Sequence, residues 1–314
     1  MKILIEVPTW LGDAVMTTPA IENLIHSFPD AKITLFGSFI STQALKAHPN
    51  VSSIVEDTSK KKGFRLFNLF KLAKKLGQFD LAFSFRRTLT SKLFLLMVNA
   101  KKKHQYKRIS KELMHQVMHY NLFIQHALNN DFIAKNLTLY VPKTSFAKPT
   151  IGINPGASYG SAKRWIPQRF ALVASSLSKK YNIIIFGGPT EVEMADEIEK
   201  ELQMHNVTNY TNLAGKTTIP ELLSHIAGLD FFITNDSGPM HVAAAYNIPS
   251  VCIFGPTKHT ETSQWMNPHS SIVRVELECA PCMKRVCPLK TDECMNSVSV
   301  DDVLQAVKRI EDAL

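Results

Sequence analysis

The chain has 314 residues, 45% of them hydrophobic and 20% charged, a composition that suits a globular protein with room for two α/β domains, each with a full core. Its longest apolar runs, such as 93–98, are far too short to span a bilayer, and Glu6 and Pro8 interrupt the apolar stretch a secretory leader would need, so a cytoplasmic protein is expected. The formal charge of +9 implies an anionic partner, whether a phosphorylated substrate, an acidic membrane face or nucleic acid.

Residues 2–7 read as a first strand, followed by a turn through Pro8-Thr9-Trp10-Leu11-Gly12-Asp13 and a helix that Thr18-Pro19 opens and that runs to about Phe28. Strands are expected at 33–36, 51–55 and 81–85 with helical patterns between them, the alternation of a parallel, doubly wound sheet. Residues 64–79 form a basic amphipathic helix, with Phe67, Leu69, Phe70, Ala73 and Leu76 on one side and Lys71, Lys74 and Lys75 on the other. A helix lying on its own sheet is the favoured reading, over one lying on a membrane. The positive excess is local: Lys60, Lys61 and Lys62, Arg86 and Arg87, and Lys101, Lys102 and Lys103 fall between residues 60 and 111 with eight further Lys and Arg, which points to a docking surface.

Residues 142–149, bounded by prolines, read as a linker, and the pattern then restarts. Strand 150–154, helix 167–180, strand 183–186, helix 191–203, a strand near 208–212, helix 219–227, strand 231–234 and strand 250–254 follow. The last helix, 299–314, is capped by Ser299 and carries Val303, Leu304, Val307 and Ile310 as its apolar stripe. The expected domains are 1–145 and 146–314, with the last helix returning to the first.

The pattern most suggestive of chemistry is 231–245. An apolar strand stops at Asn235-Asp236-Ser237, and Gly238-Pro239 opens an alanine-rich helix, so the amides of Ser237, Gly238, Met240 and His241 are expected to point out of the turn. A helix N-terminus at the carboxyl edge of a parallel sheet is a ready diphosphate site. The loop 154–165 also follows a strand. Its glycines allow close approach, the hydroxyls of Ser158 and Ser161 donate, and Lys163 supplies charge to phosphate oxygens. It fits neither the P-loop nor the dinucleotide fingerprint. Gly12-Asp13 closes the first strand–helix loop, where a carboxylate is a candidate general base for a hydroxyl nucleophile. Cys279, Cys282, Cys287 and Cys294 form either a structural zinc knuckle or a loop of free thiols, and Cys252 reads as a core residue. His104, His115, His119 and His126 are expected at solvent-facing helix positions.

Gly12-Asp13 with Thr17-Thr18-Pro19, Pro155-Gly156 with Lys163-Arg164-Trp165, Phe186-Gly187-Gly188 and the run Asn235-Asp236-Ser237-Gly238-Pro239-Met240-His241 together resemble the ADP-heptose:lipopolysaccharide heptosyltransferases of glycosyltransferase family 9, above all the heptosyltransferase II type. The resemblance implies the GT-B fold, two facing Rossmann-like domains with a cleft between them, the first binding the acceptor and the second the sugar nucleotide. It implies inverting transfer of L-glycero-D-manno-heptose from ADP-heptose to the inner-core heptose of a lipid A–Kdo–heptose acceptor, by a peripheral protein at the cytoplasmic face of the inner membrane, without a cofactor. The family's base matches Asp13, its phosphate-binding lysine Lys163, and its donor turn Asp236, Ser237 and Gly238 with His241 following. A ribose-binding acid falls at Glu191 or Glu193 and the adenine near Lys216 and Thr217. On the acceptor side stand Gly12, Arg86, Arg87, Lys101, Lys102 and Lys103. No Asp-x-Asp occurs in the chain, so lysine and a helix dipole are expected to replace a divalent ion at the diphosphate. Heptosyltransferase I or III, or a sugar-nucleotide epimerase on the same fold, are the alternatives. Nucleic acid is not expected as a partner, since the lysines lack aromatics interleaved on a strand platform.

Overall fold

The computed structural model describes residues 1–61 and 63–314, so Lys62 of the basic cluster lies outside the described residues. The chain divides into two compact units, Met1–Tyr140 and Val141–Leu314.

In the first unit the elements run β1 (Lys2–Glu6), α1 (Leu11–Met16), α2 (Thr18–Ser27), β2 (Lys32–Gly37), α3 (Phe39–Leu45), β3 (Val51–Glu56), α4 (Arg65–Lys75), β4 (Gln78–Ser84), α5 (Leu89–Met97), β5 (Asn99–Gln105) and α6 (Gln116–Leu128). Among the described residues the strands form one parallel sheet in the order β3-β2-β1-β4-β5. The central strand β1 buries Ile3, Leu4 and Ile5 completely, because helices cover both faces of such a sheet and leave little place for polar alternation.

Four expectations are corrected here. Gly12 and Asp13 lie in the first turn of a helix, not in a loop, because α1 already starts at Leu11. The helix α4 stops at Lys75, and Phe79 belongs to β4. Its apolar stripe divides: Leu69 and Ala73 enter the core with Phe94 and Leu95 of α5, whereas Phe67 and Phe70 stay exposed. The histidines are mostly not solvent-facing. His104 sits on β5 stacked on Phe83 with ring centres 5.1 Å apart, His115 accepts the Val117 amide as the cap of α6, and His119 is buried, leaving only His126 exposed.

In the second unit the elements are β6 (Thr150–Asn154), α7 (Pro167–Leu177), β7 (Asn182–Ile185), α8 (Val192–Met204), β8 (Tyr210–Asn212), α9 (Ile219–Ala227), β9 (Phe231–Asn235), α10 (Gly238–Ala245), β10 (Ser250–Ile253), α11 (His259–Thr262), β11 (Ser270–Val273), α12 (Glu293–Asn296) and α13 (Val300–Glu311). The parallel sheet runs β11-β10-β9-β6-β7-β8 among the described residues. Its neighbouring strands β6 and β9 are buried along their whole length. The core gathers around Trp165, Phe170 and Phe231. Into that same core go Val303, Ala306, Val307 and Ile310 of α13, whose first turn is closed by the Ser299–Asp302 capping box. The stripe of the last helix is thus taken up in the core of the second unit. Among the described residues no helix is long and apolar enough to cross a membrane.

Candidate functional site

The turns after β6 and β9 leave the sheet side by side, because the strands pair with Asn154 opposite Thr234. Two asparagines latch them together. Asn235 donates to the Pro155 carbonyl at 2.6 Å and accepts the Trp165 amide at 3.2 Å. Asn154 Nδ2 lies 3.1–3.3 Å from Ser237 Oγ, Thr234 Oγ1 and the Gly156 carbonyl. Each turn therefore takes its shape from the other, and the glycine-rich loop is held by buried side-chain amides.

This latch brings Lys163 onto Asp236. Lys163 Nζ lies 2.5 Å from Asp236 Oδ2, and Thr257 Oγ1 donates to the same oxygen at 2.5 Å. The pair is largely out of solvent, with side-chain exposures of 12% and 5%. An ammonium carries three protons, so one spent on Asp236 and a longer 3.4 Å approach to the Asp236 carbonyl leave donor capacity for an incoming anion. Beneath Nζ, 4.7 Å away, is the ring of Tyr159, and the Arg285 guanidinium lies 5.2 Å from the same ring. The sequence reading gives no role to Tyr159, Thr257, Arg285 or the two asparagines. The tie between the loop and Asp236 spans some 73 positions and rests on a strand order that the sequence does not state.

The expected row of free amides needs one correction. The Met240 N–H already bonds to the Ser237 carbonyl at 3.2 Å, and the Met240 side chain is buried against Cys252. Ser237 makes no side-chain cap to α10, since its hydroxyl meets Asn154 and Thr234 instead. Gly238 is half-buried at the start of α10, and His241 is buried. In the other loop, Ser158 and Ser161 are exposed. Of the two ribose-acid candidates, Glu191 is buried and accepts the Gly188 amide at 2.8 Å. Its carboxyl group lies so close to Gly156 that a Cβ there would come within 2.1–2.2 Å of it. Glu193 is exposed on α8, Lys216 donates to the Asn212 carbonyl at 3.0 Å, and Thr217 is half-buried.

The four-cysteine segment packs against this site through its backbone. Arg285 offers its carbonyl to the Ala162 amide at 3.2 Å and occupies the space a Cβ on Gly160 would need, and Met283 accepts the Tyr159 hydroxyl at 2.8 Å. Cys287 accepts the Asp292, Thr291 and Leu289 amides, which holds its thiol below the ordinary range. Burial first, and then the neighbouring Cys279, Cys282 and Cys287, push Cys294 up to about 11. All four are free thiols, and among the described residues no group of three or more His, Cys, Asp or Glu is arranged to hold a metal ion.

In the first unit Asp13 is half-buried in the first turn of α1, next to buried Gly12, where a helix N-terminus favours a carboxylate. It faces Tyr120 of α6, whose phenol lies well above its ordinary pKa, chiefly through burial and then through the Asp13 charge. Arg86 is held by acids of its own unit. Its guanidinium bonds to Glu6 at 3.2 Å, with Asp57 at 3.9 Å, and Glu6 also accepts Ser84 at 2.5 Å and Ser91 at 2.9 Å. Burial nevertheless raises the Glu6 carboxyl above its usual range. The network braces the carboxyl ends of β1 and β4, and Arg87 beside it is exposed. Lys101, Lys102 and Lys103 are exposed on β5 away from that end, since Lys102 pairs with Leu81, three positions or about 10 Å before Ser84. Lys101 is spent on Asp80 at 2.8 Å and Lys103 on the Leu96 carbonyl at 3.1 Å. The acceptor role expected of Arg86 and of these lysines gains nothing from this placement.

The family model described as glycosyltransferase family 9 (heptosyltransferase) matches residues 141–292. Lipooligosaccharide heptosyltransferase 2 of Campylobacter jejuni is 42% identical over 99% of this chain and 98% of that protein. Among solved structures, ADP-heptose lps heptosyltransferase II of E. coli gives a TM-score of 0.78 at 24% identity, covering 99% of this chain and 100% of that one. A glycosyltransferase family 9 structure from Veillonella parvula gives 0.86 at 20% identity, covering 100% and 98%. These likenesses bear out the GT-B class of fold.

Proposed function

This chain belongs to glycosyltransferase family 9, the heptosyltransferases, and from that premise we propose that it transfers L-glycero-D-manno-heptose from ADP-heptose to the inner-core heptose of lipopolysaccharide, as a heptosyltransferase of type II. Membership sets aside the sugar-nucleotide epimerase. The observation that carries the finer reading is the full-length identity to a type 2 enzyme, joined to the latched Lys163–Asp236 turn.

The second unit holds the donor. The diphosphate lies at the start of α10, taking a proton donor from Lys163 and partial positive charge from the helix N-terminus. Glu191 is the acid for the ribose, since its carboxyl already sits between Gly156 and Gly188. The first unit supplies the base: Asp13 takes the proton of the acceptor hydroxyl as that oxygen attacks the anomeric carbon. ADP departs from the opposite face, so the configuration inverts in one displacement. Lys163 and the helix dipole meet the charge growing on the leaving diphosphate. The enzyme works at the cytoplasmic face of the inner membrane, where the lipid-borne acceptor is presented.

Incubation with ADP-heptose and defined core acceptors tests the reading, with product linkage and anomeric configuration read by NMR. Transfer only to an acceptor lacking the first heptose, or retention of configuration, would overturn it. Two further results are expected. Activity survives EDTA, because the chain has no Asp-x-Asp to chelate magnesium at the diphosphate and Lys163 supplies the positive charge there. Loss of activity with circular dichroism unchanged, restored by magnesium or manganese, would sink the metal-independent clamp. Gly156→Ala, whose new methyl must displace the Glu191 carboxyl, weakens ADP binding about tenfold or more by calorimetry. Unchanged affinity would remove Glu191 from the donor site.

A further inference from the structure

In the first unit α4 and α5 pack together on one face of the sheet, burying Leu69, Ala73, Phe94 and Leu95 with Leu4 and Phe36. Their outward sides are not what a solvated helix pair presents. On and just before α4, Phe64, Phe67 and Phe70 are 72%, 55% and 40% exposed, and on α5 Leu89 and Leu96 are 72% and 65% exposed. Single exposed apolar side chains need no explanation, but five large ones on two neighbouring helices do. Exposed lysines lie among them. Lys71 Nζ is 4.3 Å from the centre of the Phe67 ring and Lys74 Nζ is 5.1 Å from that of Phe70. Between 58 and 111 the chain carries sixteen Lys and Arg and a single acid, Asp80, a local charge of +15 in a protein whose total is +9.

Three kinds of occupant fit less well than a fourth. A second copy would bring the same positive field against itself. A protein partner's buried centre is normally depleted of charge, and here lysines stand among the phenylalanines. Nucleic acid would take the lysines but offers no stacking to Leu89 and Leu96. An anionic bilayer accepts both parts, with the rings and leucines at the acyl boundary and the ammonium groups among headgroup phosphates. We infer that the outer face of α4 and α5 docks this protein on an anionic lipid surface. The inference deepens the function proposed above, whose acceptor is borne on a lipid.

Vesicle co-sedimentation of the full chain tests it. The wild type sediments with vesicles of phosphatidylglycerol and phosphatidylcholine at about 0.1 M salt, not with phosphatidylcholine alone, and is released at about 1 M. The variant F67S/F70S/K71S/K74S binds at least tenfold more weakly, with its circular dichroism and ADP affinity unchanged. L89S/L96S, on the other helix, gives a second and independent loss. Equal binding by wild type and both variants, or binding indifferent to lipid charge, overturns the inference. So does concentration-dependent self-association in sedimentation velocity, or binding of single-stranded DNA, that the same variants abolish. Heptose transfer to a detergent-dispersed acceptor is measured in parallel. Vesicle binding without transfer leaves the docking face standing and the proposed reaction wrong, and transfer without vesicle binding does the reverse.

Discussion

Asp13→Asn is expected to lower turnover by about 10²–10⁴, the range for a lost general base, while ADP affinity stays within a few-fold. The two side chains have nearly the same size, so α1 keeps its packing. The weakened helix-end electrostatics should cost no more than about 1 kcal/mol of stability. The donor contacts proposed above belong to residues of the second unit and are untouched. Turnover is read from ADP release with acceptor present, and ADP affinity from calorimetry. Turnover near that of the wild type would take Asp13 out of the reaction.

Lys163→Ala is expected to cost about 30- to 1,000-fold in rate, equivalent to about 2–4 kcal/mol of transition-state stabilisation from one charged contact to the leaving group. The buried pair adds a second consequence. Without Lys163 the Asp236 carboxylate keeps the Thr257 hydroxyl but loses its counter-charge in a place almost closed to water. Breaking such a pair from one side costs on the order of 3–5 kcal/mol, so thermal stability falls too. The double variant Lys163→Ala/Asp236→Asn separates the two roles. It is expected to recover most of the melting temperature, by scanning fluorimetry, and little of the rate. If it recovers the rate, Lys163 serves only to neutralise Asp236, and the diphosphate is held by something else.

What could be read from the sequence follows from how local each signal is. Helix α9 was bounded correctly because Thr218 and Glu221 form its capping box and Gly228 follows its end, all within a dozen residues. Strands β6 and β9 are short apolar runs closed by asparagine, and both were found. Strand β5 was not, because Asn-Ala-Lys-Lys-Lys-His-Gln has no apolar alternation; pairing with β4, not burial, makes it a strand. Periodicity put Phe67 and Phe70 on the same side of α4 as Leu69 and Ala73, but could not foresee that α5 closes the core before the stripe ends. At the site, the loop of Lys163 and the turn of Asp236 each read as a candidate anion binder in the sequence. That they bind one another depends on β6 and β9 being neighbours.

The lysine run of β5 has a use that needs neither acceptor nor lipid. Among the described strands β5 has a partner only on the β4 side, so it ends the sheet with a row of peptide groups that another chain could extend. Three successive ammonium side chains make such strand addition between copies unfavourable, since two edges brought together would set like charges opposite one another. Replacing Lys101, Lys102 and Lys103 by serine would do more than lower the charge: it would open a route to aggregation, visible as a rise in light scattering with protein concentration before any change in melting temperature. A run of residues that reads as a handle for something else thus also keeps copies of the same molecule apart.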